Sequence, residues 1–150
     1  MPLSHPTKMI VLVLRVALGI VFIWASWEKI LKPVDFAVVI DNYRLLPQSL
    51  AGGVAVLLPW IELICGLALV TGVYVKGGLV IINLMLIVFI AALGANAIRG
   101  VDVDCGCFSV AGQARGRIVW DILRDIVFIA VGFWLFYMQY RYPPPHRVGS

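Results

Sequence analysis

An all-α integral membrane protein is expected from this chain: a bundle of four spanning helices with a short interfacial helix between the first and the second. Three features of the sequence lead there. Of its 150 residues, 62% are hydrophobic and 13% are charged, whereas soluble domains carry about 25% charged residues. The apolar residues gather into four runs of roughly 20, the length one helix needs to cross a hydrocarbon core of about 30 Å. The polar residues fall between those runs and leave little chain for a soluble domain, so residues 1–150 read as one transmembrane domain with an ordered core over about 8–140. A net charge of +4 could suit nucleic acid, but Lys and Arg are scattered and form no stripe.

The first run goes from Met9 to about Leu31. It exceeds the 7 to 15 apolar residues of a signal peptide and lacks a small-x-small cleavage site, so it reads as a retained anchor. Lys32 to Gln48 is mixed in polarity, with Asp35, Asp41, Asn42 and Arg44, and ends after Pro47; it is expected to form the interfacial helix. The second run spans about Leu50 to Val75. Pro59 within it removes one backbone donor and predicts a kink. The third covers Gly77 to Ile98, and a break rich in Gly, Asp and Cys follows from Arg99 to Gly116. The fourth occupies Arg117 to Tyr140 and is stopped by Pro143, Pro144 and Pro145. Four crossings put both termini and the 2–3 connection on one face. The Lys32 to Gln48 segment and the cysteine loop occupy the other. Lys8, Lys76, Arg141 and Arg147 stand on the terminal face, against Lys29, Lys32, Arg44, Arg99, Arg115 and Arg117 on the cysteine face. That narrow margin favours a cytoplasmic cysteine loop and leaves the orientation open.

The most distinctive string is Asp102-Val103-Asp104-Cys105-Gly106-Cys107-Phe108. Two cysteines around one Gly can close a disulfide in a tight turn, and the strain of so small a ring makes the bond labile and suited to exchange. A soft-metal site and an inert loop are the alternatives. A closed zinc site wants four N or S ligands, and His5 and His146 lie near the termini, across the membrane from this loop. Only a soft ion such as Cu(I) or Hg(II), content with two thiolates, would suit Cys105 and Cys107, with Cys65 as a third ligand. Cys65 sits about 16–22 Å along the second run at 1.5 Å per residue, which suits a small packing residue, with a buried redox or metal partner as the other reading.

Charges within the runs are costly and normally face a partner or a cavity. Arg15 and Glu62 should sit at comparable depth, so they are expected to form a buried pair, structural or proton-linked. On the fourth run, Arg117, Asp121, Arg124 and Asp125 fall within an arc of about 100°. That stripe should turn inward, where Arg117 and Arg124 could favour a thiolate at Cys105 or Cys107 while Asp121 or Asp125 accepts a proton, with Arg124 and Asp121 the leading pair. A set of salt bridges neutralised internally is the equal alternative. Trp24, Trp27, Trp60, Trp120 and Tyr140 lie towards run ends and read as an interface belt. No cofactor is required; a quinone stacked near Trp27 or Trp60 is the one weakly signalled candidate.

Read together, Arg15-Val16-Ala17-Leu18-Gly19, Glu28-Lys29-Ile30-Leu31-Lys32-Pro33, Tyr43-Arg44-Leu45-Leu46-Pro47, Pro59-Trp60-Ile61-Glu62 and Arg99-Gly100 followed by Asp104-Cys105-Gly106-Cys107-Phe108 resemble the MauE methylamine-utilisation membrane proteins, relatives of the DoxX-like family. The resemblance runs over about residues 8 to 140, and its most specific part is the ordered pairing of Pro-Trp-x-Glu with Cys-Gly-Cys-Phe. It implies a four-helix protein of the bacterial inner membrane that works with a thioredoxin-like periplasmic partner during maturation of methylamine dehydrogenase. It also implies that Cys105 and Cys107 face the periplasm, an oxidising compartment where an exchange-active pair has use. The architecture is similar as well to quinone-linked thiol oxidases of the vitamin K epoxide reductase type, but this chain lacks their Cys-x-x-Cys within a helix.

Overall fold

The computed structural model describes residues 5–42, 47–98 and 117–142. Its elements are five helices: α1 (His5–Leu31), α2 (Pro33–Asn42), α3 (Gln48–Thr71), α4 (Val75–Ile98) and α5 (Arg117–Arg141). The chain is a multi-pass membrane protein, with α1, α3 and α4 each long and apolar enough to cross a bilayer. Many of the large apolar side chains on their outer faces, among them Ile10, Val13, Ile20, Leu57, Ile64 and Leu84, are exposed. A helix apolar all round belongs in lipid. α5 is as long, 25 residues, but Asp121, Arg124 and Asp125 lie in its first half, which sets it apart from the other three in composition.

Local chemistry explains the boundaries. Lys32 separates α1 from α2 because the proline that follows restricts its backbone, and Pro33 then opens α2 at a position where a missing N–H costs no helix bond. The interfacial segment expected between Lys32 and Gln48 is therefore helical over its first ten residues. α3 stays helical through Pro59, which lies buried inside it. It ends at Gly72, whose φ of 83° places it in the left-handed region, and the Gly72 N–H donates to the Ala68 carbonyl at 3.0 Å. That closing bond is a C-cap open to Gly at no steric cost.

α1 and α3 run antiparallel in close contact. A Cβ on Gly19 would stand 2.8 Å from the Gly66 carbonyl oxygen, and one on Gly66 would stand 2.9 Å from the Gly19 carbonyl oxygen. Small residues allow such approach, and in lipid, packing of this kind drives helix association. The main core joins Leu18 and Phe22 of α1, Cys65 and Leu69 of α3, Leu79, Ile82 and Leu86 of α4, and Leu135 of α5. α5 lies along α4, where the Asn83 carboxamide rests on the bare Cα of Gly132. It also meets α1, where the Phe22 and Phe128 rings meet at a tilt of 57° with centroids 6.4 Å apart. α2 packs its Phe36 and Ile40 onto the small residues Ala51 and Ala55 of α3. The end of α1, all of α2, the start of α3, the end of α4 and the start of α5 thus share one end of the bundle, here called the polar end. The other is the terminal end.

Gly19→Ala and Gly66→Ala should each lower stability by about 1–3 kcal/mol through overpacking, read by reversible unfolding in mild detergent. Gly52→Ala serves as the control, since a Cβ there meets nothing within 4 Å. It should be neutral or slightly stabilising.

Candidate functional site

The polar end holds the buried charges. Leu18, Phe22, Ala25, Ser26 and Lys29 form the buried stripe of α1, spaced three and four apart as one helix face requires. Lys29 is the last of them. Its Nζ lies 2.6 Å from both carboxylate oxygens of Glu62 on α3, and the two side chains are 1% and 2% exposed. The same ammonium stands 5.2 Å from the centroid of the Phe36 ring of α2 and 5.7 Å from that of Phe89 of α4, within the range of cation–π attraction. Four helices therefore meet on one nitrogen. Beside it, the Ser26 hydroxyl donates to the Ile23 carbonyl at 2.8 Å, satisfying a polar group that is itself buried.

The partner of Glu62 is thus Lys29, not Arg15. Side chains on a helix lean towards its N-terminus. Glu62 lies one turn before Gly66, so its level on α1 falls beyond Gly19, towards Lys29. Lys29 leans back to that level, and Arg15 leans away from it. The Arg15 guanidinium instead lies against Gly72, where a Cβ would meet its Nη1 and Nη2 at 3.2 Å each. Counting from apparent run ends put Arg15 and Glu62 at one depth; the contact between Gly19 and Gly66 sets the actual register. The sequence carried a signal for Lys29 in the 18, 22, 25, 29 spacing, but a lysine two residues from a helix end also reads as an interface charge.

The second ionic group lies on α5. Arg124 Nη1 meets Asp121 at 2.9 Å, and Arg124 Nη2 meets Asp125 at 3.0 Å, with Nε of the same guanidinium at 3.2 Å from that carboxylate. Asp125 is fully buried, while Arg124 and Asp121 remain 22% and 18% exposed. Carboxylates in the first turns also suit the positive end of the helix dipole. In its described part the α5 stripe is therefore one guanidinium held between two carboxylates, with Arg124 and Asp121 still open to solvent. Arg117 begins α5, and its side chain lies outside the described residues.

Cys105 and Cys107, with Asp102 and Asp104, also lie outside the described residues. What the structure fixes is their tether: the 99–116 connection joins the end of α4 to the start of α5, both at the polar end. Cys65 is a free thiol buried in the main core. No group of three or more His, Cys, Asp and Glu side chains able to hold a metal gathers among the described residues. Trp24, Trp27, Trp60 and Trp120 are exposed on the outside of the bundle, as side chains facing lipid or its interface would be.

Comparison with known proteins gives one family. The family model described as methylamine utilisation protein MauE matches residues 7–138. Methylamine utilization protein MauE of Paracoccus denitrificans is 35% identical over 125 residues, which cover 82% of this chain and 66% of that protein. The protein of the same name from Methylophilus methylotrophus is 34% identical over 113 residues, 74% of this chain and 59% of the relative. That of Methylorubrum extorquens is 34% identical over 85 residues, 56% and 46%. The matched part of the chain thus spans about half to two thirds of the length of these relatives. No solved structure matches it.

Breaking one side of a buried ion pair leaves an uncompensated charge, whereas replacing both partners with apolar groups is often neutral. Lys29→Met and Glu62→Leu should therefore each destabilise by about 3–5 kcal/mol, and the double variant should recover most of that loss. Unfolding of the three variants in one detergent system reads the cycle.

Proposed function

The chain belongs to the MauE family, and on that premise we propose that it serves methylamine utilisation as an inner-membrane partner in thiol–disulfide exchange, with Cys105 and Cys107 as the exchanging pair. Its target is a thioredoxin-like periplasmic protein engaged in maturing methylamine dehydrogenase. α5 acts as the fourth span, so that both termini share one side and the cysteine connection faces the periplasm. The observation that carries this reading is the tether. The dithiol segment is anchored at the end of the bundle where Asp121 and Arg124 remain partly open to solvent.

The chemistry proceeds in two displacements. A thiolate of the partner attacks one sulfur of the Cys105–Cys107 bond, forming a mixed disulfide and releasing the other sulfur as a thiolate. The second partner thiolate then attacks the mixed disulfide. The partner is oxidised by two electrons, and the chain's cysteines are left as a reduced dithiol with the two protons given up by the partner. Run in reverse, the same steps reduce the partner. Arg124, held between Asp121 and Asp125 and partly exposed, is the group we assign to favour the leaving thiolate, and Asp121 the group we assign to accept and return a proton. Lys29 and Glu62 hold α1, α2, α3 and α4 beneath this surface and take no part in the exchange.

In cells with the intact methylamine system, the Cys105→Ser/Cys107→Ser variant should lose the partner-linked adducts that alkylation traps on non-reducing gels, and growth on methylamine should fall. Cys65→Ala, altering a buried thiol, should leave both unchanged. Undiminished adducts in the double variant would overturn the assignment.

A further inference from the structure

Of the described helices, α2 alone is too short to be stable by itself, with ten residues. Only Lys32 joins it to α1. Its two faces differ: Phe36 and Ile40 are buried, whereas Val34, Asp35 and Val38 are exposed. The buried face rests on Ala51 and Ala55 of α3, and Val39 packs, as does Ile122 of α5, on Ala92 and Leu93 of α4. Those contacts are apolar. Where acyl chains are the alternative surroundings, apolar contact distinguishes weakly between a docked and an undocked helix. The contact that does distinguish is that of the Phe36 ring with the Lys29 ammonium.

The surroundings of that nitrogen form a complete shell for a primary ammonium. Two of its three N–H bonds are matched by the Glu62 oxygens, each at 2.6 Å. No other hydrogen-bond acceptor reaches Nζ among the described residues. The Phe36 and Phe89 rings, at 5.2 and 5.7 Å, stand in for the water that a third N–H would otherwise hold. Aromatic faces around a cation are also how proteins recognise free ammonium ligands. Here the chain supplies the ligand itself. The shell comes from α2, α3 and α4, so it does not depend on the ligand being tethered to α1.

We propose that the polar end contains a recognition site for a primary ammonium group, that Lys29 is its resident ligand, and that occupancy of the site latches α2 onto the bundle. Emptied, the site takes a small free alkylammonium ion in place of Lys29. Truncating Lys29 at Cβ removes three methylenes and the ammonium, which is the outline of n-propylammonium. Release of α2 withdraws Phe36 from one side of the shell and so lets that ion reach Glu62 and Phe89. The latch is independent of the thiol chemistry proposed above and stands if that chemistry fails.

Deuterium exchange of the α2 amides in the full-length protein, compared by mass spectrometry with those of α1 and α3, reads the latch. Lys29→Ala should speed α2 exchange about 30-fold, the scale of one desolvated cation–π contact. Millimolar n-propylammonium should slow it again, and propan-1-ol, of similar shape without the charge, should not. The double variant Lys29→Met/Glu62→Leu should keep the bundle folded, leave α2 in fast exchange and gain nothing from n-propylammonium. Should Lys29→Ala not fold, Phe36→Leu retains the ion pair and an apolar side chain on α2, and should by itself speed α2 exchange by a similar factor. Unchanged α2 exchange in Phe36→Leu overturns the proposal. So does a folded Lys29→Ala that n-propylammonium fails to restore, or that propan-1-ol restores equally.

Discussion

The ammonium of Lys29 sets the arrangement of the polar end. In hydrocarbon a lone ammonium or carboxylate is costly to hold, so Lys29 and Glu62 each require the other, and the pair fixes α1 against α3 at one level. Two aromatic faces complete the shell around the nitrogen, one from α2 and one from α4. A single charge thus constrains four helices. The cost of separating it from Glu62 applies to any slip of α1 along α3, and a departure of α2 would strip the Phe36 face from the ammonium. Apolar contacts in lipid lack such discrimination, because a leucine is nearly as well solvated by an acyl chain as by another leucine.

The close approach of Gly19 and Gly66 works with this pair. Bare backbones let the helix axes come near enough for a lysine from one helix to reach a carboxylate on the other with both side chains withdrawn from solvent. A bulky residue at either glycine would force α1 and α3 apart, lengthening the contact between Lys29 and Glu62. Packing and electrostatics therefore support one register. α2 owes its position to the same arrangement: Phe36 fits over Ala51 and Ala55 and also covers the ammonium. A segment of ten residues is too short to hold a stable helix by itself, and here it is held from two sides.

The two ends differ in how charge is balanced. At the polar end, two groups of cations and carboxylates pair within the protein among the described residues. Asp121, Arg124 and Asp125 do so along one helix, while Lys29 and Glu62 do so between helices. At the terminal end the cations have no acidic counterpart in the sequence, so balance falls to the surroundings.

Composition and run length were enough to establish a helical membrane protein, the position of each long helix to within a few residues, and the short helix after Lys32, because hydropathy and proline act locally along the chain. Membership of the family was also legible, through ordered motifs that survive without any knowledge of contacts. The ion pairing of Arg124 with Asp121 and Asp125 was legible in part, since these three residues lie within about one turn of each other. The partner of Glu62 was not. Residues 29 and 62 are far apart in sequence, and either Arg15 or Lys29 could meet a carboxylate if depth is counted from helix ends alone. The tertiary structure decided between them through the register at Gly19 and Gly66 and the lean of each side chain towards its own N-terminus. Register belongs to the interface between two helices and is written in neither one separately.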